Sequence, residues 1–306
     1  MVFIANEPPC LKRLIVVRAR RIALRSGWAY KKVMETNTVN ACDISAHEKW
    51  FAVYAASKCA EESANPRGDV GPMHLKIRHS MAVLENARRM VACENFSSVQ
   101  RRVCLLAALY HDVGRFEQYL RFHTFKDKAS CDHGQMGVRI LKQEKRLNDE
   151  APLVRKAVLA AVALHNRFAL PRGLPELTAT AAHVVRDADK LDILRVMDEH
   201  LSGPGPYNPT VVLSLPDTPG VYSEAVLRAA REGRVAAYAD LCSVNDFRLL
   251  LGTWFFDMHF ASSRRQFVED GHALNLLRGL PTNAPYGQAR ETMLEKLGAL
   301  RDAASF

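Results

Sequence analysis

Six side chains in this 306-residue sequence are of the types that grip first-row metal ions: His79, the adjacent pair His111-Asp112, His133, His165 and Asp189. Most lie on apolar stripes at helical spacing. His79 belongs to the stripe Leu75, His79, Val83, Ala87 and Met90; His133 heads Gly137, Ile140 and Leu141. His165 ends Val154, Val158 and Val162, and Asp189 sits among Val185, Ile193 and Val196. The pair His111-Asp112 closes an apolar run from Val103 to Tyr110. In each segment the polar group faces the same way as its apolar neighbours, toward a core. Imidazole and carboxylate stay in an apolar interior only when paired or metal-bound, and together they suit divalent first-row metals. The order His…His-Asp…His…His…Asp therefore predicts a two-metal centre inside a helical bundle.

The elements that must position these ligands read as helices almost throughout. Helical patterning covers 46–64, 73–93, 98–112, 132–147, 152–168 and 176–199, with loops near 120–131 and 170–175. Strand alternation is scarce, so the expected fold class is all-α. Residues 203–220 carry five prolines beside Gly203, Gly205 and Gly220 and read as a lid-like excursion. Helical patterns resume at 222–239, 243–270 and 286–303. The expected organisation is a leader over 1–45, a helical core over 46–200, and a Pro/Gly-rich loop with C-terminal helices packing on that core over 201–306. Within the last part, Trp254-Phe-Phe-Asp257-Met-His259 either walls a substrate pocket or packs a helix.

Composition narrows the function. Hydrophobic residues make up 48% and charged residues 25%, the balance of a globular protein with a sizeable core. No apolar run approaches the roughly 18 residues of a membrane span, so no membrane is expected and a cytoplasmic location is. The seven cysteines form no CxxC pair and read as free thiols rather than a disulfide framework or thiolate zinc site. Of the net charge of +9, residues 1–45 contribute +5. That Arg-rich, acid-poor leader reads as a disordered extension, an overlong start-codon assignment or a targeting peptide, or as an arm touching nucleic acid or anionic lipid. No zinc knuckle or aromatic-interleaved basic motif supports nucleic acid, which is not an expected partner.

The run His79…His111-Asp112-Val-Gly-Arg115…His133…His165-Asn…Asp187-Ala-Asp189-Lys-Leu-Asp192 resembles the HD-domain metal-dependent phosphohydrolase superfamily over roughly residues 73–199. The resemblance implies an all-helical HD-domain bundle around a binuclear metal centre. His79, His111, Asp112 and Asp189 would hold one divalent ion, and Asp112 would bridge to a second completed by His133 and His165. The ions would be Mn, Fe, Co, Ni or Mg. The implied activity is hydrolysis of a phosphoester or phosphoanhydride by a metal-bridging hydroxide. The implied substrate is a small phosphorylated compound, with a nucleotide expected.

Asp112, Arg115 and Lys190 are then the candidate catalytic residues, the two cations serving substrate phosphate, with Arg167 a third candidate cation. Asp192 is placed to orient a ligand histidine or to act as a cap or charge partner. Gly114 either ends a helix or lets substrate approach the backbone. The Gly-Tyr-Pro signature of the cyclic-dinucleotide branch is absent, and Arg115 replaces its HDxGK lysine, which argues against that substrate. The two middle histidines set the chain apart from single-metal relatives. A minority HD-like branch holds two irons on the same ligand order and activates dioxygen, so a di-iron oxygenase is the alternative.

Overall fold

The computed structural model describes residues 42–203, 205–207, 211–218 and 220–304; the described residues form helices and connecting turns, with no strand among them. The expected leader lies, except for residues 42–45, outside the described residues. The helices are α1 (Ser45–Ser63), α2 (Gly71–Cys93), α3 (Ser98–Tyr110), α4 (Gly114–Phe122), α5 (His133–Gln143), α6 (Pro152–Leu164), α7 (Glu176–Leu201), α8 (Glu224–Glu232), α9 (Val244–Thr253), α10 (Ala261–Glu269), α11 (His272–Arg278) and α12 (Gly287–Ala304).

Local chemistry starts several of these helices. Ser97 and Gln100 form a capping box at α3, with Gln100 N donating to Ser97 Oγ and Ser97 N to Gln100 Oε1. Asp132 caps α5 by accepting from Gln135 N at 3.1 Å. Proline stands in the first turn of α2 and α6, where its missing N–H costs nothing.

Helix α3 is buried on every side from Val103 to Tyr110, the pattern of a helix enclosed by others. Helices α2, α6 and α7 pack around it. Each of Leu105, Leu106 and Leu109 is removed from water, about 2 kcal/mol apiece by apolar area. Helix α5 leans on α6, α4 on α5, and α1 covers α4 and α3. A second apolar cluster, from Leu191 to Leu297, joins the end of α7 to α8–α12. Helix α7 therefore runs through both clusters and ties the C-terminal helices to the ligand-bearing bundle.

Several boundaries differ from expectation, each for a physical reason. The helix expected over 98–112 ends at Tyr110, and an unexpected helix, α4, begins at Gly114. Gly114 is no helix terminator: a Cβ there would lie 2.2 Å from His133 O and 2.6 Å from Gly137 N, so glycine lets α4 start against the α5 backbone. The helix expected over 152–168 ends at Leu164, and that over 222–239 stops at Glu232, where Gly233 takes φ 71°. The stretch 243–270 is divided into α9, a 3-10 turn at Trp254–Asp257, and α10. The buried carboxylate of Asp187 fixes where α10 starts. Its Oδ2 accepts from His259 N at 2.9 Å, Phe260 N at 3.1 Å and Ser263 Oγ at 2.6 Å, satisfying the N-cap N–H of α10 and anchoring its first turn.

Candidate metal centre

Ligand-type side chains arrive at one place from helix ends and helix faces. His79 projects from the middle of α2 and Asp189 from the middle of α7. His111 follows α3, His165 follows α6, and His133 is the first residue of α5. Asp112 lies in the turn between α3 and α4 and is 2% exposed. The four histidines are buried as well.

Two groups result. In the first, His79 Nε2 is 3.0 Å from Asp189 Oδ1 and 3.4 Å from His111 Nε2, and His111 Nε2 is 4.0 Å from Asp189 Oδ1. In the second, His133 Nε2 is 3.0 Å from His165 Nε2 and 3.3 Å from Asp112 Oδ1, and His165 Nε2 is 3.7 Å from Asp112 Oδ1. Two ligands each about 2.1 Å from one ion lie at most about 4.2 Å apart. All six separations meet that limit, so each group fits a single ion. Asp112 faces both groups: its other oxygen, Oδ2, is 3.7 Å from His79 Nε2 and 3.6 Å from His111 Nε2.

Residues 77–194 match the family model described as HD domain, a span that contains all six of these side chains. The chain carries an HD domain. The match places residues 77–194, and no other part of the chain, within the HD superfamily. No curated protein and no solved structure matches the chain.

The HD domain orients its histidines through their far nitrogens. His79 Nδ1 meets Asp192 Oδ2 at 2.6 Å and His133 Nδ1 meets Asp127 Oδ2 at 2.7 Å. His111 Nδ1 meets Ala108 O and His165 Nδ1 meets Val162 O, each at 2.8 Å. Backbone carbonyls and ionised carboxylates only accept, so all four Nδ1 atoms carry the proton and each Nε2 presents a lone pair or, on protonation, a second N–H.

Electrostatics agree with that role. Burial pushes His111 and His133 down to about 4, keeping both imidazoles neutral near neutral pH. Burial also resists charge on His79, but Asp189 and Asp192 outweigh it and raise its pKa. Asp112 stays well below the usual carboxylate range despite burial, because the Lys76 and Arg115 cations stand beside it. Asp189 is likewise held down despite burial, by its hydrogen bond with His79.

The expected cations are close, but each is engaged. Arg115 Nε lies 3.4 Å from Asp112 Oδ1, while its Nη1 donates to Asp127 Oδ1, Gln118 Oε1 and Phe125 O. Lys190 pairs with Asp257. Arg167 is more exposed and pairs with Asp132 at 3.1 Å. Asp192 reaches His79 and accepts from Arg195 Nε at 2.7 Å.

Two functional residues escaped sequence reasoning. Lys76 Nζ donates to Asp112 Oδ2 at 2.7 Å; its position one turn before His79 on α2 was the available signal. Asp127, the partner of His133, stands in a short 3-10 turn where no periodicity marks it. A cleft of about 370 Å³ opens beside the ligands, lined by His165, Asp189, Lys190, Trp254 and Asp257 among others. The segment 254–259 therefore contributes to a pocket wall.

Proposed function

We propose that this HD-domain protein is a metal-dependent phosphohydrolase that cleaves a phosphoester or phosphoanhydride bond of a small phosphorylated substrate, a nucleotide being the expected class. The observation that carries the reading is the pair of three-ligand groups beside an open cleft, one containing Asp112 and the other faced by its second oxygen. His79, His111, Asp189 and Asp112 would hold one divalent ion, and Asp112, His133 and His165 the other. When bound, the ions supply Lewis-acid polarisation of the phosphoryl group and activation of water.

The chain's own groups do the positioning. Asp192 and Asp127 fix the tautomers and planes of His79 and His133, so the ligand nitrogens are set before substrate arrives. Lys76 and Arg115 hold Asp112 ionised in a buried place, which keeps both of its oxygens available as acceptors. Lys190, held by Asp257 at the cleft wall, is a cation for a substrate phosphate oxygen.

Protein purified without chelators, then loaded with manganese, iron, cobalt or nickel, is expected to hydrolyse members of a nucleotide and phosphoester panel. His111→Ala and Asp112→Ala should abolish turnover while leaving the helical circular dichroism intact. A panel that stays blank with all four metals contradicts the proposal.

A further inference from the structure

The cleft beside the ligand groups adjoins a second cavity of about 670 Å³, and Phe168, Arg186, Val235 and Asp257 line both. The two halves differ in whether their cations are already paired. Next to the ligands the wall carries Ile193, Tyr238 and Trp254, and its cations Arg167, Lys190 and Arg186 are already engaged by Asp132, Asp257 and the Phe168 carbonyl. Tyr238 is 53% exposed and Phe168 88% exposed, large aromatic rings presented to solvent along a concave surface. Farther out, the exposed Arg172 and Arg264 line the second cavity among apolar residues such as Leu170 and Met258, together with His183 and His259, whose rings stack at 3.7 Å.

No wall carboxylate is left to neutralise those two arginines. Asp257 pairs with Lys190 and Arg186, and Asp187 accepts from His259 N, Phe260 N and Ser263. Arg186 is itself engaged by the carbonyls of Arg167 and Phe168. Arg264 donates through Nε to Met258 O at 2.9 Å, which leaves its two Nη groups without a partner among the described residues. Arg172 has no ion pair among the described residues. Two guanidinium groups with open donors in one concave wall form a ready site for an anion.

We propose that the second cavity is a distal anion subsite, and that the substrate carries a second anionic group, phosphate or carboxylate, beyond an apolar planar body resting on Phe168, Tyr238 and Trp254. Placing the substrate's other end at the ligand groups rests on the hydrolase reading; the anion subsite itself does not.

Histidine-selective NMR of the protein as purified tests the subsite. Inorganic phosphate is titrated in one arm and acetate in the other. The ring signals of His183 and His259, assigned with His183→Asn and His259→Asn, should shift saturably with at least one of the two. In the Arg172→Gln/Arg264→Gln protein the apparent Kd should rise at least about tenfold, with an unchanged melting temperature. Response to phosphate alone makes the distal group a phosphate; response to both makes it a general anion. Signals that do not move, or that move equally in the double variant, overturn the proposal. In turnover, the same double variant should raise KM about tenfold for a phosphate ester bearing a distal anion and leave KM unchanged for its uncharged counterpart, kcat being equal in both. If no phosphate ester is turned over, the hydrolase reading fails while the NMR result still decides the subsite.

Discussion

Replacing Gly114 by alanine should damage both the fold and the metal centre, because one close approach serves both. The added Cβ would meet His133 O at 2.2 Å, Gly137 N at 2.6 Å and Gly137 Cα at 3.2 Å. All three are backbone atoms of α5, so no side-chain rotation relieves the clash. Helix α4 and the start of α5 must separate by about 1 Å, at the upper end of what overpacking costs, about 3 kcal/mol. For a chain of this size that is a fall in Tm of roughly 4–6 °C. His133 is the residue pushed, and its Nε2 stands only 3.0 Å from His165 Nε2 and 3.3 Å from Asp112 Oδ1. Displacement should therefore also lower the bound metal by up to one ion per chain. Thermal denaturation and elemental analysis of the same preparation measure the two effects. Gly203→Ala, where a Cβ meets nothing within 4 Å, is the control and should change neither. A Gly114→Ala protein with the parent Tm and metal content would refute the close-approach argument.

Other perturbations separate the parts of the site. Asp192→Asn removes the charged acceptor of His79 Nδ1 and should weaken one bound ion about 10–100-fold in a chelator-competition titration, whereas Asp127→Asn should weaken the other; equal effects on both ions would contradict the assignment of these partners. Glu150 offers a pH test away from the metals. Burial opposes its charge, but hydrogen bonds from His47 and Arg102 hold its carboxyl at about 2 instead of the usual 4.5. A depressed carboxylate contributes stability above its unfolded pKa, and that contribution, about 2 kcal/mol after allowing for solvent at Arg102, is lost as pH falls from 4.5 toward 2. Glu150→Gln should therefore be less stable than the parent at pH 6 in urea, with the gap closing at pH 2.5; a gap that persists at low pH would contradict the charge argument.

The ligand residues were legible because burying imidazole or carboxylate is costly, so a histidine on an apolar stripe such as Val154, Val158, Val162, His165 stands out. The all-helical bundle followed from the same periodicity. What stayed hidden depends on contacts between segments distant in sequence. Gly114 reads as a breaker because nothing local shows that the α5 backbone will lie against it. Its true role moves Arg115 onto a separate helix, where Phe125 O and Asp127 engage the guanidinium. Lys76 looks like an ordinary surface lysine until α2 brings it over Asp112. Where α10 starts depends on Asp187, contributed by α7 more than seventy residues earlier. Asp187 shares the run Asp187-Ala-Asp189-Lys-Leu-Asp192 with Asp189 and Asp192, yet serves the C-terminal helices instead of the ligand groups.

The ion count of protein purified without chelators, set beside its Asp112 and His165 variants, tests most directly whether six side chains hold a pair of ions through one shared carboxylate. The parent should carry two equivalents of divalent metal per chain. His165→Ala should retain one, and Asp112→Ala should lose affinity for both. A parent that binds one equivalent or none under metal excess, or an Asp112→Ala protein that keeps two, would contradict the shared-carboxylate centre.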